Sequence, residues 1–243
     1  MTDKFSRLIE VDLIRGLAIL GVVVFHIVWD LEFTGLISGI AFHPIWLGFG
    51  RSLAGTFMFL VGVSLVLAHQ RTFKVKAFLN RLSVVVLAAF TISVVTWFAF
   101  PNHFIFYGIL HAIAAASLVG VLFLRLPLLF VVVAGALSFL LPQFFRSEVF
   151  DTRWLAWIGF YENAPPSNDF VPFFPWVGLS ILGVAFARFF KLPTKSSSLP
   201  LSIRKNPFTK FIAWSGQKSL PIYLVHQPVL LALIVPLSWL LNA

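Results

Sequence analysis

Seven stretches of about twenty mainly apolar residues run through this chain, and they leave little choice of architecture. They cover approximately residues 13–32, 50–69, 81–100, 105–124, 126–143, 173–190 and 219–241. In lipid every backbone N–H and C=O must be paired internally, and runs of this length do so as helices. The chain of 243 residues is 59% hydrophobic and only 11% charged, outside the range of a soluble domain. The expected fold is all-α: a polytopic transmembrane bundle of about seven spans, read as one integral-membrane domain over 1–243. Glu10 and Asp12 stand against the first run, which is too long for a signal-peptide core, so no cleaved signal is expected. Cysteine is absent, which excludes disulfides, thiolate nucleophiles and Cys-ligated metal. No internal repeat suggests an inverted-repeat transporter.

The basic residues test the span count. Alternating the loops puts Lys4, Arg7, Arg15, Arg71, Lys74, Lys76, Arg81, Arg125, Arg188, Lys191, Lys195, Arg204, Lys205, Lys210 and Lys218 on one side. The other side keeps Arg51, Arg146 and Arg153 of the 18 Lys and Arg. Positive charge gathers on the cytoplasmic side, so the N-terminus is expected inside and the C-terminus outside. The net charge of +9 is then loop charge facing anionic lipid rather than a nucleic-acid footprint. Two loops are long. The external one, 144–172, mixes Trp154, Trp157 and Tyr161 with amides and carboxylates, which suits sugar rings or a plain interfacial hairpin. The internal one, 191–218, is rich in Ser, Pro, Lys and Arg, and suits a polyanionic nucleotide, anionic lipid or topology alone.

Ionisable groups inside membrane spans are costly and mark function. At roughly 100° per residue, Asp12, Arg15, His26 and Asp30 share one stripe about 60° wide on the first helix. His26 and Asp30, at i and i+4, are placed to hydrogen-bond. A carboxylate on one imidazole nitrogen raises the basicity of the other, which makes His26 a candidate general base. His111 is expected about two turns into the fourth span, at a depth similar to His26. The two could share a cavity or proton path; no ligand spacing supports a metal. Arg51 starts the second span against the charge trend, as a snorkelling anchor, a substrate contact or a partner for Asp30. Tyr223 and His226 share a face of the last span, toward its inner end. His43 sits in the short loop after the first span, where a histidine is commonly incidental.

These residues resemble the transmembrane acyltransferases. Arg15 followed by His26 is similar to the Arg-x10-His motif of the bacterial acyltransferase-3 family, and Ser219-Leu-Pro-Ile-Tyr223-Leu-Val-His226 looks like that superfamily's closing helix. A closer resemblance is to the heparan-α-glucosaminide N-acetyltransferase catalytic-domain family and its bacterial members of unknown substrate. It rests on Glu10-Val-Asp12-Leu-Ile-Arg15-Gly16, His26-x-x-x-Asp30-Leu, Phe57-Met-Phe-Leu-Val-Gly62-x-Ser64, Gly108-Ile-Leu-His111 and Phe174-Pro-Trp176. The resemblance implies acetyl-CoA as donor from the inner side of a bacterial-type inner membrane. The acceptor would be a glycan or sugar conjugate outside. It also implies a role for His43, because the lysosomal relatives have an essential loop His followed three residues on by Trp, as His43 is by Trp46. Those relatives carry Asn where this chain has His26, so the base is His26, His43 or both.

The resulting expectation is acyl transfer. His26, Asp30 and His43 are the catalytic candidates; Arg15, Asp12, Tyr223 and His226 meet the donor; Arg51, His111 and Trp176 meet the acceptor. Direct transfer and an acyl-histidine intermediate both fit this set. A homodimer is compatible with it. The rival readings are a proton-coupled transporter using His26, His111 and Asp30 as a relay, and a structural subunit without chemistry.

Overall fold

The computed structural model describes residues 8–69, 72–193 and 199–241. Four residues of the charge count, Lys4, Arg7, Arg71 and Lys195, lie outside the described residues. Among those described there is no strand, and the regular elements are helices. They are α1 (Ile9–Phe33), α2 (Pro44–His69), α3 (Val75–Ala99), α4 (Ile109–Phe123), α5 (Leu128–Phe144), α6 (Arg153–Ala156), α7 (Phe173–Phe189), α8 (Leu201–Lys205), α9 (Pro207–Gln217) and α10 (Ser219–Leu241). A single 3-10 turn, Glu148–Asp151, precedes α6.

Each of the seven apolar runs is a helix. Four of them, α1, α2, α3 and α10, are long and apolar enough to cross a membrane. The apolar helices α4, α5 and α7 are shorter, with 15, 17 and 17 residues. Three starts differ from expectation. Helix α2 begins at Pro44, so Arg51 lies two turns inside it. Helix α3 begins at Val75, so Lys76 and Arg81 are helical. Helix α4 begins at Ile109, which puts His111 in its first turn rather than two turns in.

The residues group into two compact units. One comprises Met1–Thr56 with Lys195–Ala243, and the other Phe57–Thr194. In the first unit α1 packs against α9 and α10. Its contact with α9 is made backbone to backbone. A Cβ on Gly16 would overlap the Ile212 carbonyl, and one on Gly216 would overlap that of Asp12. The segment 191–218, expected as a loop, therefore contains a packed helix. Its start is written in Asn206-Pro207: the Asn206 side chain accepts from the Phe208 N–H at 2.8 Å, and Pro207 occupies the first turn.

In the second unit α7 is the packing centre, lying against α5 and α4. Val177, Ile181, Val184 and Ala187 are buried along it. Gly62 of α2 meets the Ser180 backbone and Gly183 meets that of Phe59, both too closely to admit a Cβ. Arg188 donates to the Phe123 and Leu126 carbonyls, at 3.1 and 2.6 Å. The first is a carbonyl that the end of α4 leaves unpaired, and the second lies in the turn after it. The outward faces are apolar: Leu87, Phe90, Val95 and Phe98 of α3 are all exposed, as are Leu129, Phe130 and Leu140 of α5. Faces of this size and character suit lipid rather than water.

Candidate functional site

The polar stripe of α1 is buried by two different helices. Asp12 is 3% exposed. Its Oδ1 accepts from Arg15 Nη1 at 3.2 Å and its Oδ2 from Gln217 Nε2 at 3.0 Å. Asp12 thus ties α9 to α1 and orients the half-buried Arg15, and each of its oxygens has a hydrogen-bond partner. Each Asp12 oxygen holds one of these donors, and Arg15 carries positive charge beside it.

Further along α1, the stripe meets α10. His26 Nδ1 lies 2.9 Å from the Val22 carbonyl and 3.3 Å from His226 Nε2. His226 Nδ1 lies 2.7 Å from the Tyr223 carbonyl. A carbonyl oxygen only accepts, so both Nδ1 atoms carry hydrogen. His226 Nε2 is then a bare acceptor that shares the His26 Nδ1–H. His26 Nε2 is left with a lone pair and no partner among the described residues. The arrangement gives one imidazole a free basic nitrogen and a second imidazole behind it.

The expected bond from Asp30 to His26 is not formed. Asp30 instead accepts from Gln227 Nε2 at 2.7 Å. Helix α10 inserts His226 and Gln227 beside the stripe, and each takes one α1 group as partner. The expectation of His226 at the inner end of its span, away from His26, also fails: the two rings are in contact. Because α9 occupies the first turns of α1, α10 starts partway along it, and His226 reaches the level of His26. Tyr223 packs against His226, with ring centroids 5.5 Å apart.

The remaining candidates are placed differently. His43 is exposed just before α2, its Nδ1 near the Ile45 N–H at 3.4 Å. Among the described residues nothing bonds it to His26. Arg51 is exposed on α2 and makes no ion pair with Asp30. Trp176 is half-buried in the first turn of α7, in the second unit. His111, also in that unit, is fully engaged. Its Nδ1 accepts from the Gly108 N–H at 3.2 Å, which fixes hydrogen on Nε2, and Nε2 faces Ser93 Oγ at 3.2 Å. Ser93 in turn donates to the Ile105 carbonyl at 2.6 Å. The neighbouring Ile109 N–H is taken by Asp169 at 2.8 Å. His111 therefore caps α4 and has no lone pair left for proton transfer. Among the described residues no group of His, Asp and Glu is arranged to hold a metal.

Sequence reasoning missed Gln217 and Gln227. The second had a signal: an amide beside His226 in an otherwise apolar helix needs a partner on another helix.

The catalytic region of the heparan-α-glucosaminide N-acetyltransferases matches residues 7–228. The chain belongs to this family. No curated protein and no solved structure matches it. Membership makes the chain a membrane acetyltransferase of the family's kind, and the match reaches through both halves of the His26–His226 pair.

Proposed function

We propose that this acetyltransferase moves an acetyl group from cytoplasmic acetyl-CoA to a hydroxyl or amine of an extracytoplasmic glycan, with His26 as general base. The observation that carries this reading is the free lone pair on His26 Nε2, backed by His226 at 3.3 Å. In the reaction the acceptor oxygen or nitrogen attacks the thioester carbonyl and forms the new C–O or C–N bond. Its proton passes to His26 Nε2. The C–S bond breaks, and the CoA thiolate takes up that proton. His226 Nε2 holds the Nδ1–H as positive charge develops on His26, the part a carboxylate plays in hydrolase triads.

The sequence and the helices support a topology for this transfer. Seven apolar helices cross a bacterial-type inner membrane, α4, α5 and α7 with bilayer thinning, with the N-terminus inside and the C-terminus outside. Residues 1–243 act as one domain. Arg15, with the basic residues of 201–218, meets CoA phosphates at the inner end of α1. His26 lies about 16 Å further along the helix, on the acceptor side. His43, exposed beside that end, contacts the acceptor rather than abstracting its proton.

The test is turnover of labelled acetyl-CoA by purified protein in nanodiscs, with amino sugars as acceptors. His26→Ala should lower kcat about 10²–10⁴-fold, the usual contribution of a general base. Full activity of that variant would sink the base assignment. Failure of CoA to bind or to raise the thermal midpoint would sink the enzyme reading.

A further inference from the structure

Where α2 ends and α3 begins, a cavity of about 300 Å³ lies between these two helices and α4, within the second unit. Its lining has two characters. Leu65, Leu82 and Val85 form an apolar floor, in which Leu65 is buried. His69, Lys74 and Arg81 form a polar mouth, with both cations exposed and His69 half-buried. The sequence of α3 sets this order. Lys74, Ala77, Arg81 and Val85 fall on one face of the helix, so the cations come first and the apolar wall follows.

The mouth presents donors. His69 Nδ1 accepts from the Lys74 N–H at 3.2 Å, which fixes hydrogen on Nε2. Phe73 and Phe78 pack against the ring, with centroids 4.6 and 6.1 Å away, and hold it in place. An imidazole N–H, an ammonium and a guanidinium therefore surround one opening. Among the described residues no carboxylate lines the cavity. Its three helices could not supply one, because no Asp or Glu occurs between Glu32 and Glu148.

The position of the cavity selects its occupant. Helices α2 and α3 are both long and apolar enough to cross a membrane, so their junction falls at the level of lipid headgroups. Beside the cavity, α3 exposes Leu79, Val86 and Leu87, a face suited to acyl chains. We infer that the cavity binds an anionic glycerophospholipid of the adjoining leaflet. Its phosphate diester accepts from His69, Lys74 and Arg81, and the start of an acyl chain covers Leu65, Leu82 and Val85. Basic cavities between membrane helices take anionic headgroups in this way. A zwitterionic headgroup would bring an ammonium to an opening that has cations and no carboxylate. A free phosphate would leave the apolar floor uncovered. Under the topology proposed above, the leaflet is the cytoplasmic one. The inference is independent of the acyl-transfer chemistry.

Dioctanoyl phosphatidylglycerol and dioctanoyl phosphatidylcholine share their chains and differ in net charge. Their equilibrium binding to the purified protein is compared in a neutral detergent. The wild type should favour phosphatidylglycerol roughly thirtyfold, the combined worth of two cations beside an anionic lipid. Lys74→Gln with Arg81→Gln should cut the preference to within about threefold. Lys76→Gln removes an exposed α3 cation that does not line the cavity, and should leave the preference intact. Ala77→Trp keeps every charge but fills the mouth, and should abolish saturable binding. All four substituted positions are exposed, so loss of binding is not loss of the fold. No preference in the wild type, an equal loss in Lys76→Gln, or unchanged binding in Ala77→Trp reduces the effect to general surface charge and overturns the site. Inorganic phosphate and CoA serve as competitors. Neither should displace the lipid at equal concentration. Displacement by phosphate would show that the apolar floor plays no part. Displacement by CoA, with CoA binding lost in the double variant, would give the cavity to the acyl donor. Either result overturns the lipid assignment.

Discussion

His26 and His111 are both histidines in apolar helices, and they spend their lone pairs differently. The Nδ1 lone pair of His111 is taken by the Gly108 N–H, whereas His26 keeps Nε2 free. His111→Ala should therefore lower the thermal midpoint, by an amount corresponding to about 1 kcal/mol for a lost cap, rather than kcat of the folded protein. Circular dichroism melts beside single-turnover rates separate the two. At His226 a graded result is expected. His226→Gln retains an acceptor for the His26 Nδ1–H and His226→Leu does not, so the Gln variant should be faster by about tenfold. Equal rates would remove His226 from the mechanism. In the long loop, Asp151 accepts from the Glu162 and Asn163 N–H groups at 2.8 and 3.0 Å. These bonds, Asn163 foremost, hold its carboxyl below the usual carboxylate range. A depressed folded value means that the loop is held above the ordinary carboxylate pKa of about 4 and released as pH falls below it. Amide exchange at Glu162 and Asn163, corrected for intrinsic rates, should rise under those acid conditions, and should already be high at neutral pH in Asp151→Ala. Residue types in the stripe could be read from the sequence. Their partners could not, because a hydrogen bond depends on which helix arrives beside the residue. Asp30 at i+4 was an available partner for His26, and α10 supplied another.

At the scale of elements, the apolar runs were legible because lipid imposes length and hydropathy at once. Helix α9 was not, since an 11-residue helix carrying Lys210 resembles a charged loop by composition. Asn206-Pro207 marked its start, and Gly216 marked where it touches α1. Asn206→Ala should cost about 1 kcal/mol through loss of the cap. Gly216→Val forces a side chain into the Asp12 backbone and should cost more, about 1–3 kcal/mol, with looser Asp12–Gln217 pairing. Thermal shifts in nanodiscs check the order; a neutral Gly216→Val would contradict the close contact. The same packing sets the level of His226: α9 covers the first turns of α1, so α10 starts partway along it and His226 meets His26.

For the whole molecule, family membership and exposed apolar faces place the chemistry in a membrane. Sidedness is open to direct measurement. In vesicles of defined orientation, acetyl-CoA supplied on the side of the N-terminus should support transfer to an impermeant acceptor on the other side; activity only with both reactants on one side would reverse the proposed route. The all-helical class, the apolar helices with their approximate limits, and the family are all legible in the order of residues. Each of these follows from local chemistry: hydropathy over one helix length, or residue types at short spacing. Only the packing shows that His26 is backed by His226 rather than Asp30, that His111 is a cap, and that among the described residues Asp30 Oδ2 and Gln227 Oε1 lack a donor. Those outcomes join residues about two hundred positions apart or turn on a single hydrogen, and they depend on where α9 lets α10 begin beside α1.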